Sequence, residues 1–339
     1  MKSLIKSALS GAALLTLSMS SIAQADGTLP AFPFAGTAFL SGGGAWLEPD
    51  NAGQIFDLDD VDLEIASIVG GGDFVIPVTG LWNIQLGGAW RRDETSMFYG
   101  SMSNTQFQGG GIGFWRDPTT GLFGIEAGLF SGSSGNLAAP AIGPVGEDTR
   151  VISQQAHALG RGGSGAFVKL GGVAEYYFSD MVTIGGFGGV LIPTDSTPFN
   201  FNPGFEIDEG FYAGGQVTYY ATGNFAVAAL ARFLELNTSN IGSSNSQQSL
   251  HVGGEVRYLT SMSGVEFFAY GGYTSCESET SFQGGQNLSF LTDGAEVMGG
   301  IRIHLGGRDS RLVDIDRSNS LDTRAWSCGG GGVALVGDV

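Results

Sequence analysis

Lysine is nearly absent from this chain. Of its 15 basic residues only Lys2, Lys6 and Lys169 are lysines, and the net charge is −18. Nothing concentrates positive charge on a face, so anionic lipid head groups are poor partners and nucleic acid is not an expected one. Charged residues of both signs make up only 14% of the chain, against about 25% in a soluble domain. No apolar run of about 18 residues follows the first 25, which excludes a membrane-spanning helix. Proline is sparse, and its ten copies fall before, between or at the ends of strand-like segments, where no ladder donor is lost. What the chain does have is glycine, 58 residues of it, and 42% hydrophobic residues. Low charge, no membrane helix and dispersed apolar residues fit a lipid-facing barrel, in which every second side chain is apolar. A secreted soluble sandwich is the alternative.

The N-terminus reads as an export signal. Lys2 and Lys6 form a positive n-region, Ala8 to Met19 is a short and mostly apolar stretch, and Ala23-Gln24-Ala25 is a small-x-small cleavage pattern. The mature chain is expected to begin at Asp26. The residue after the cut is Asp26 rather than a cysteine, so a lipoprotein anchor is not expected.

Beyond the signal, tight connections alternate with long polar ones. Tight turns are expected near 78–80, 117–121, 178–180, 221–224 and 261–264. Long loops are expected near 48–68, 91–104, 131–164, 193–210, 237–248 and 274–294. Such a rhythm suits an antiparallel outer-membrane barrel with short periplasmic turns and long extracellular loops. Period-two alternation supports it. Trp82, Ile84, Leu86, Gly88 and Trp90 share one face, opposite Asn83, Gln85, Gly87 and Ala89. Similar faces recur over 122–130, 211–220, 250–258 and 295–305. The reading is all-β: a single antiparallel transmembrane β-barrel of about 12 strands, with ten and fourteen as alternatives. The strands are placed near 35–46, 68–77, 81–92, 104–116, 121–131, 165–178, 181–193, 210–221, 224–236, 248–260, 264–275 and 294–305. Residues 1–25 are the signal, 26–305 the barrel, and 306–339 a periplasmic C-terminal tail.

The run Gly109-Gly110-Gly111-Ile112-Gly113-Phe114-Trp115-Arg116-Asp117-Pro118, followed by Gly121-Leu122-Phe123-Gly124, resembles a hairpin of porin-like Gram-negative outer-membrane barrel proteins. Gly172-Val173-Ala174-Glu175-Tyr176-Tyr177, the Gly210–Asn224 stretch and Gly264–Gly271 resemble later strands of the same proteins. The resemblance covers about 70–305. It implies the architecture and brings no substrate and no catalytic or binding residue.

The face opposite the apolar one carries Glu126, Lys169, Glu175, Arg232, Glu255, Arg257, Glu266, Glu296 and Arg302. These are the candidate lumen residues. They line a polar pore that selects solutes by charge, or they pair into bridges that fill a narrow barrel. His157, His251 and His304 lack a nearby Asn–Ser–Gly or paired-aspartate signature, so catalysis is not expected, and no cofactor is. Asp57, Asp59, Asp60 and Asp62 are carboxylates that could hold a hard cation such as Ca²⁺, but they lack an EF-hand's glycine and distal glutamate; a solvated acidic loop is the preferred reading.

Cys276 falls in the last long loop and Cys328 in the tail after the final strand, on opposite sides of the membrane. Within one molecule they can bond only if the tail threads the lumen. Near the barrel's end, Met298, Gly300, Ile303 and Leu305 resemble the signal read by the barrel-insertion machinery. The expected protein is a porin-like narrow channel for small solutes or ions, embedded in outer-membrane lipid. The alternative is a closed structural or surface-interaction barrel acting through its long loops.

Overall fold

The structure, a computed structural model, describes residues 35–50, 63–97, 100–134, 164–193, 206–240, 243–262, 264–282, 287–305 and 311–318. The period-two segments form twelve strands. They are β1 (Ala35–Asp50), β2 (Leu63–Thr79), β3 (Trp82–Met97), β4 (Gly100–Asp117), β5 (Gly121–Ser134), β6 (Ser164–Ser179), β7 (Val182–Pro193), β8 (Glu206–Tyr220), β9 (Phe225–Asn240), β10 (Ser243–Leu259), β11 (Val265–Phe282) and β12 (Asn287–Leu305). Each pairs antiparallel with its neighbours in sequence, and β1 pairs with β12, so the sheet closes into a barrel without an edge. Closure is the condition for a sheet to sit in hydrocarbon, because no backbone donor or acceptor is left unpaired along an edge. Ten and fourteen strands are thereby ruled out, and Leu63–Ala66 of the 52–66 stretch belong to β2.

All five tight turns lie at one end of the barrel, together with the start of β1 and the end of β12. Their residues explain them. In the β4–β5 turn the Asp117 carboxylate accepts from the Thr119 N–H (2.8 Å) and hydroxyl (2.6 Å), a side-chain mimic of a backbone turn. At the opposite end the strands run further than expected. Most of 91–104, 237–248 and 274–294 is strand rather than loop, with only residues 98–99, 241–242 and 283–286 between the paired strands. The reason is visible on β3. Its outward face is apolar from Trp82 to Trp90, then turns to Arg92 and Glu94, which pair at 3.3 Å in the open. Eight residues at ~3.4 Å each, tilted ~40°, give a belt about 20 Å tall, close to a bilayer's apolar thickness at a barrel. Beyond the belt the backbone ladder continues, but the outward side chains no longer need to be apolar. Pro49 illustrates the same point. It lies inside β1, where the ladder continues only to β12.

Aromatic rings gather on the outer face near the tight turns. Trp82 meets Phe123 edge-on at 6.3 Å, and Trp115 lies 5.3 Å from the same ring. Register brings them together: Trp82 stands opposite Trp115, which stands opposite Phe123. Amphipathic rings at this height form a membrane-interface girdle.

Inside, two walls differ. Ile112, Phe114, Leu122, Phe130, Phe167 and Leu191 belong to a buried apolar cluster contributed mainly by β4–β9. Tyr212 joins it by lying over Gly171 and Gly189, where a Cβ would collide with its hydroxyl. The other wall, β10–β12 with β1–β3, carries most of the buried charge, beside a small apolar group of Phe39, Val69, Ala89 and Met298.

After β12 the chain forms a short helix, α1 (Leu312–Asp316). Five residues, two of them β-branched, are too few to hold a helix alone. The Arg311 N–H donates to the Asp314 carboxylate (3.3 Å), which caps the first turn. Docking supplies the rest. Leu312, Val313 and Ile315 are buried against Tyr220, Ala226 and Leu259 at the tight-turn end.

Candidate functional site in the lumen

All nine residues proposed from the sequence for the lumen face inward, and the register sorts them into networks. The lower network, near the tight turns, centres on Glu266, which is fully buried. Arg257 donates to it through Nε (2.9 Å) and Nη2 (2.8 Å), Arg302 through Nη1 (2.8 Å), and His304 Nε2 lies at 2.9 Å. Arg302 also clamps Glu255 at 2.9 and 2.7 Å, and its guanidinium lies 4.0 Å from the centre of the Phe268 ring. Forked Arg–carboxylate pairs fix geometry as well as charge. Neighbouring strands make this possible: Glu266 stands opposite Arg302, and Arg257 lies diagonally across the β10–β11 ladder.

The upper network centres on Glu296. It accepts from Arg91 (3.3 Å) and the Thr274 hydroxyl (3.1 Å), and His251 Nδ1 lies at 3.3 Å. Arg91 is held in turn by Asp93 at 2.8 Å, and Asp93 accepts from Ser67 at 2.6 Å. A third pair stands on the apolar wall. Lys169 meets Glu126 at 2.7 Å, lies 4.3 Å from the centre of the Tyr212 ring, and Tyr212 donates to the same Glu126 at 3.0 Å. Glu175 faces inward near the tight turns, on the same strand as Tyr177.

Between the upper and lower networks is a cavity of about 120 Å³. That is about four water molecules' share of liquid volume. Its polar lining is Arg91, His251 and Glu296 of the upper network, Glu255 and Arg302 of the lower, and Ser41, Arg232 and Tyr270; Phe39, Val69, Leu230, Phe268 and Met298 complete it. The Tyr270 hydroxyl has no hydrogen-bond partner among the described residues.

Arg91, Asp93, Ser67, Thr274, His251 and His304 were not among the sequence candidates. A signal was present for Arg91 and Asp93: the inward parity of Asn83, Gln85 and Ala89 continues through Arg91, Asp93 and Thr95. Reading 91–104 as a loop hid it. Asp57, Asp59, Asp60, Asp62, His157 and the signal segment 1–25 lie outside the described residues.

At the tight-turn end, α1 closes over the lower network. Asp316 receives a fork from Arg257 (2.6 and 2.7 Å) and the Tyr220 hydroxyl (2.8 Å). Arg116 donates to the Arg317 carbonyl (2.8 Å), the Arg317 guanidinium lies over the Tyr177 ring and donates to the Ser179 carbonyl, and the Leu312 N–H donates to the Gly223 carbonyl (2.8 Å). These contacts tie β4 and β6 on one side of the mouth to β8–β10 on the other.

Fold and interior together define a single-chain, twelve-stranded transmembrane β-barrel with an ion-paired lumen. No protein-family model and no curated protein matches the chain. Among solved structures it is similar to an outer-membrane channel from Pseudomonas putida F1, at 12% identity and TM-score 0.51, over 83% of this chain and 98% of that one. It also matches the translocator domain of the autotransporter NalP from Neisseria meningitidis, at 10% identity and TM-score 0.41, over 88% and 97%. A third match is a FadL homologue from Pseudomonas aeruginosa, at 7% identity and TM-score 0.41, over 81% and 90%. At these identities the likeness is one of fold.

Proposed function

We propose that the protein is an exported outer-membrane barrel, its tight turns on the periplasmic side, that passes small polar solutes or ions along the charged wall of its lumen. The observation that carries this reading is the cavity between two ionic networks, inside a closed barrel with an apolar outer belt. A passage so lined favours solutes that can exchange hydrogen bonds with its arginine and glutamate side chains. Insertion would use the barrel-assembly machinery, with the residues Met298, Gly300, Ile303 and Leu305 of β12 as its signal. A second reading, a closed barrel acting through the segments at its other end, is favoured by α1, which lies across the mouth, and by the dense pairing of the lumen charges. Single-channel recording on the refolded mature protein decides between them. Reproducible current steps are expected, and Arg232→Glu, on the cavity wall, should shift ion selectivity toward cations. A folded, inserted barrel that never conducts would sink the channel reading.

A further inference from the structure

At the tight-turn mouth one guanidinium is held from two sides. From within the barrel, Glu266 fixes Arg257 through Nε and Nη2 at 2.9 and 2.8 Å. The outer edge, Nη1 with Nη2, donates to both oxygens of Asp316 at 2.6 and 2.7 Å, and the Tyr220 hydroxyl donates to the same carboxylate at 2.8 Å. The two holders differ in kind. Glu266 is fully buried on β11, part of the closed sheet. Asp316 is the last residue of α1, a helix too short to hold itself, and its side chain is 21% exposed against 6% for Arg257. Water therefore meets this pair from the mouth. A further donor stands beside α1: the Tyr177 hydroxyl is buried and has no hydrogen-bond partner among the described residues. The centre of its ring lies 4.5 Å from the guanidinium of Arg317, the residue after Asp316.

We propose that this recess is a binding site for a small carboxylate: Asp316 fills it while α1 is docked, and the carboxylate of a solute takes the same fork when Asp316 leaves it. A guanidinium edge and a hydroxyl converging on two oxygens are the donors a carboxylate group needs. Glu266 keeps the guanidinium oriented whether or not Asp316 is present, so an incoming ligand does not bear the cost of ordering it. A buried guanidinium that loses one of its carboxylates is undercompensated, which favours a replacement anion over a neutral solute. The same chemistry continues inward. Arg302 shares Glu266 with Arg257 and also lines the cavity, so a second guanidinium stands between the mouth and the cavity. That a solute reaches the mouth rests on the channel reading; the donor set does not.

The probe is carbon-13-labelled acetate, titrated into the full mature chain refolded in detergent and followed by NMR, with acetamide as its neutral counterpart. In the parent, acetate has to compete with Asp316. Asp316→Ala should therefore bind acetate about tenfold or more tightly than the parent, the factor expected when the parent's fork is free no more than about a tenth of the time. Adding Tyr220→Phe to that variant removes one donor and should weaken acetate binding by about two- to tenfold. Asp316→Asn keeps a neutral group of the same size on α1 and should fall between the two, and it carries the test if the alanine variant does not fold. The heat-modifiable gel shift shows that each barrel is folded. Equal acetate affinity in the parent and the Asp316 variants, or acetamide bound as tightly as acetate, would overturn the site. A Tyr220→Phe change without effect would do the same, because acetate would then sit elsewhere. Bilayer recording keeps the two readings apart. Acetate bound as expected in a barrel that never conducts would sink the channel and leave the site standing; current without acetate binding would sink the site and leave the channel.

Discussion

The two walls of the lumen are built on different principles. On β4–β9, side chains such as Phe114, Phe130 and Leu191 pack as they would in a soluble core. On β10–β12 and β1–β3, Glu266 and Glu296 each gather several donors, and the charges are satisfied in networks rather than pairs. Both walls are built from strands with an apolar outer face, so the membrane does not cause the contrast. The apolar wall fills space by shape, and water has no reason to enter it. The charged wall can exchange partners with water or solute, because each hydrogen bond it loses can be replaced. The cavity lies against the charged wall, so under the proposed function solutes would follow that wall.

The strongest way to break the contrast is to remove the hub of the charged wall. Glu266→Ala leaves Arg257, Arg302 and His304 without their shared carboxylate. Stranding buried partners of an ion network costs about 3–5 kcal/mol. The variant should unfold at markedly lower urea concentration, as read by gel heat-modifiability. An unchanged midpoint would mean that the network is hydrated rather than structural.

A smaller effect is expected from the Glu126–Lys169 pair on the apolar wall. Replacing Glu126 with Gln and Lys169 with Met together removes both charges at similar volume. Such swaps of buried pairs are neutral or stabilising, often by ~1–4 kcal/mol. The double variant should match or exceed the parent in stability, and conductance should be unaffected if solutes follow the other wall. A marked loss of either would make this pair part of the passage.

The smallest effect concerns the helix that closes the mouth. The hydrogen bond from the Arg311 side chain holds the Asp314 carboxyl below the usual aspartate range. A depressed carboxylate contributes its stabilisation above its ordinary pKa, near 3.9, and loses it as pH falls through the folded value. Docking of α1 should therefore be constant from neutral to mildly acidic pH and weaken only in strong acid. Asp314→Asn should remove that acid response with little change at neutral pH, as followed by a fluorophore placed beside α1. Docking that already weakened at mildly acidic pH would show that the Arg311–Asp314 contact does not set the acid response.

Much of the fold was legible because its causes are local. Trp82, Ile84, Leu86 and Trp90 face lipid because alternate residues of a strand point the same way, and Asp117–Gly121 turns because its aspartate can satisfy the turn's own donors. Strand ends away from the tight turns were not legible. Past the belt, outward residues such as Arg92 and Glu94 lose their apolar signature while the ladder runs on. The candidate lumen residues were recoverable by parity, and Arg91 and Asp93 would have been too. Helix α1 left no trace, since a five-residue helix held by docking has no periodicity to read.

By itself, then, the chain determined how many strands form and which side chains point inward, because alternation and turn chemistry act over a few residues. Partner choice was settled only by the tertiary structure. Arg302 reaches both Glu255 and Glu266 once the β10–β12 register has set the height of each residue, and Arg91 reaches Glu296 across β1 and β2 only after β1 has paired with β12 and closed the sheet. Charge pairing across a barrel depends on distances between residues far apart in sequence, and those exist only once the ring is complete.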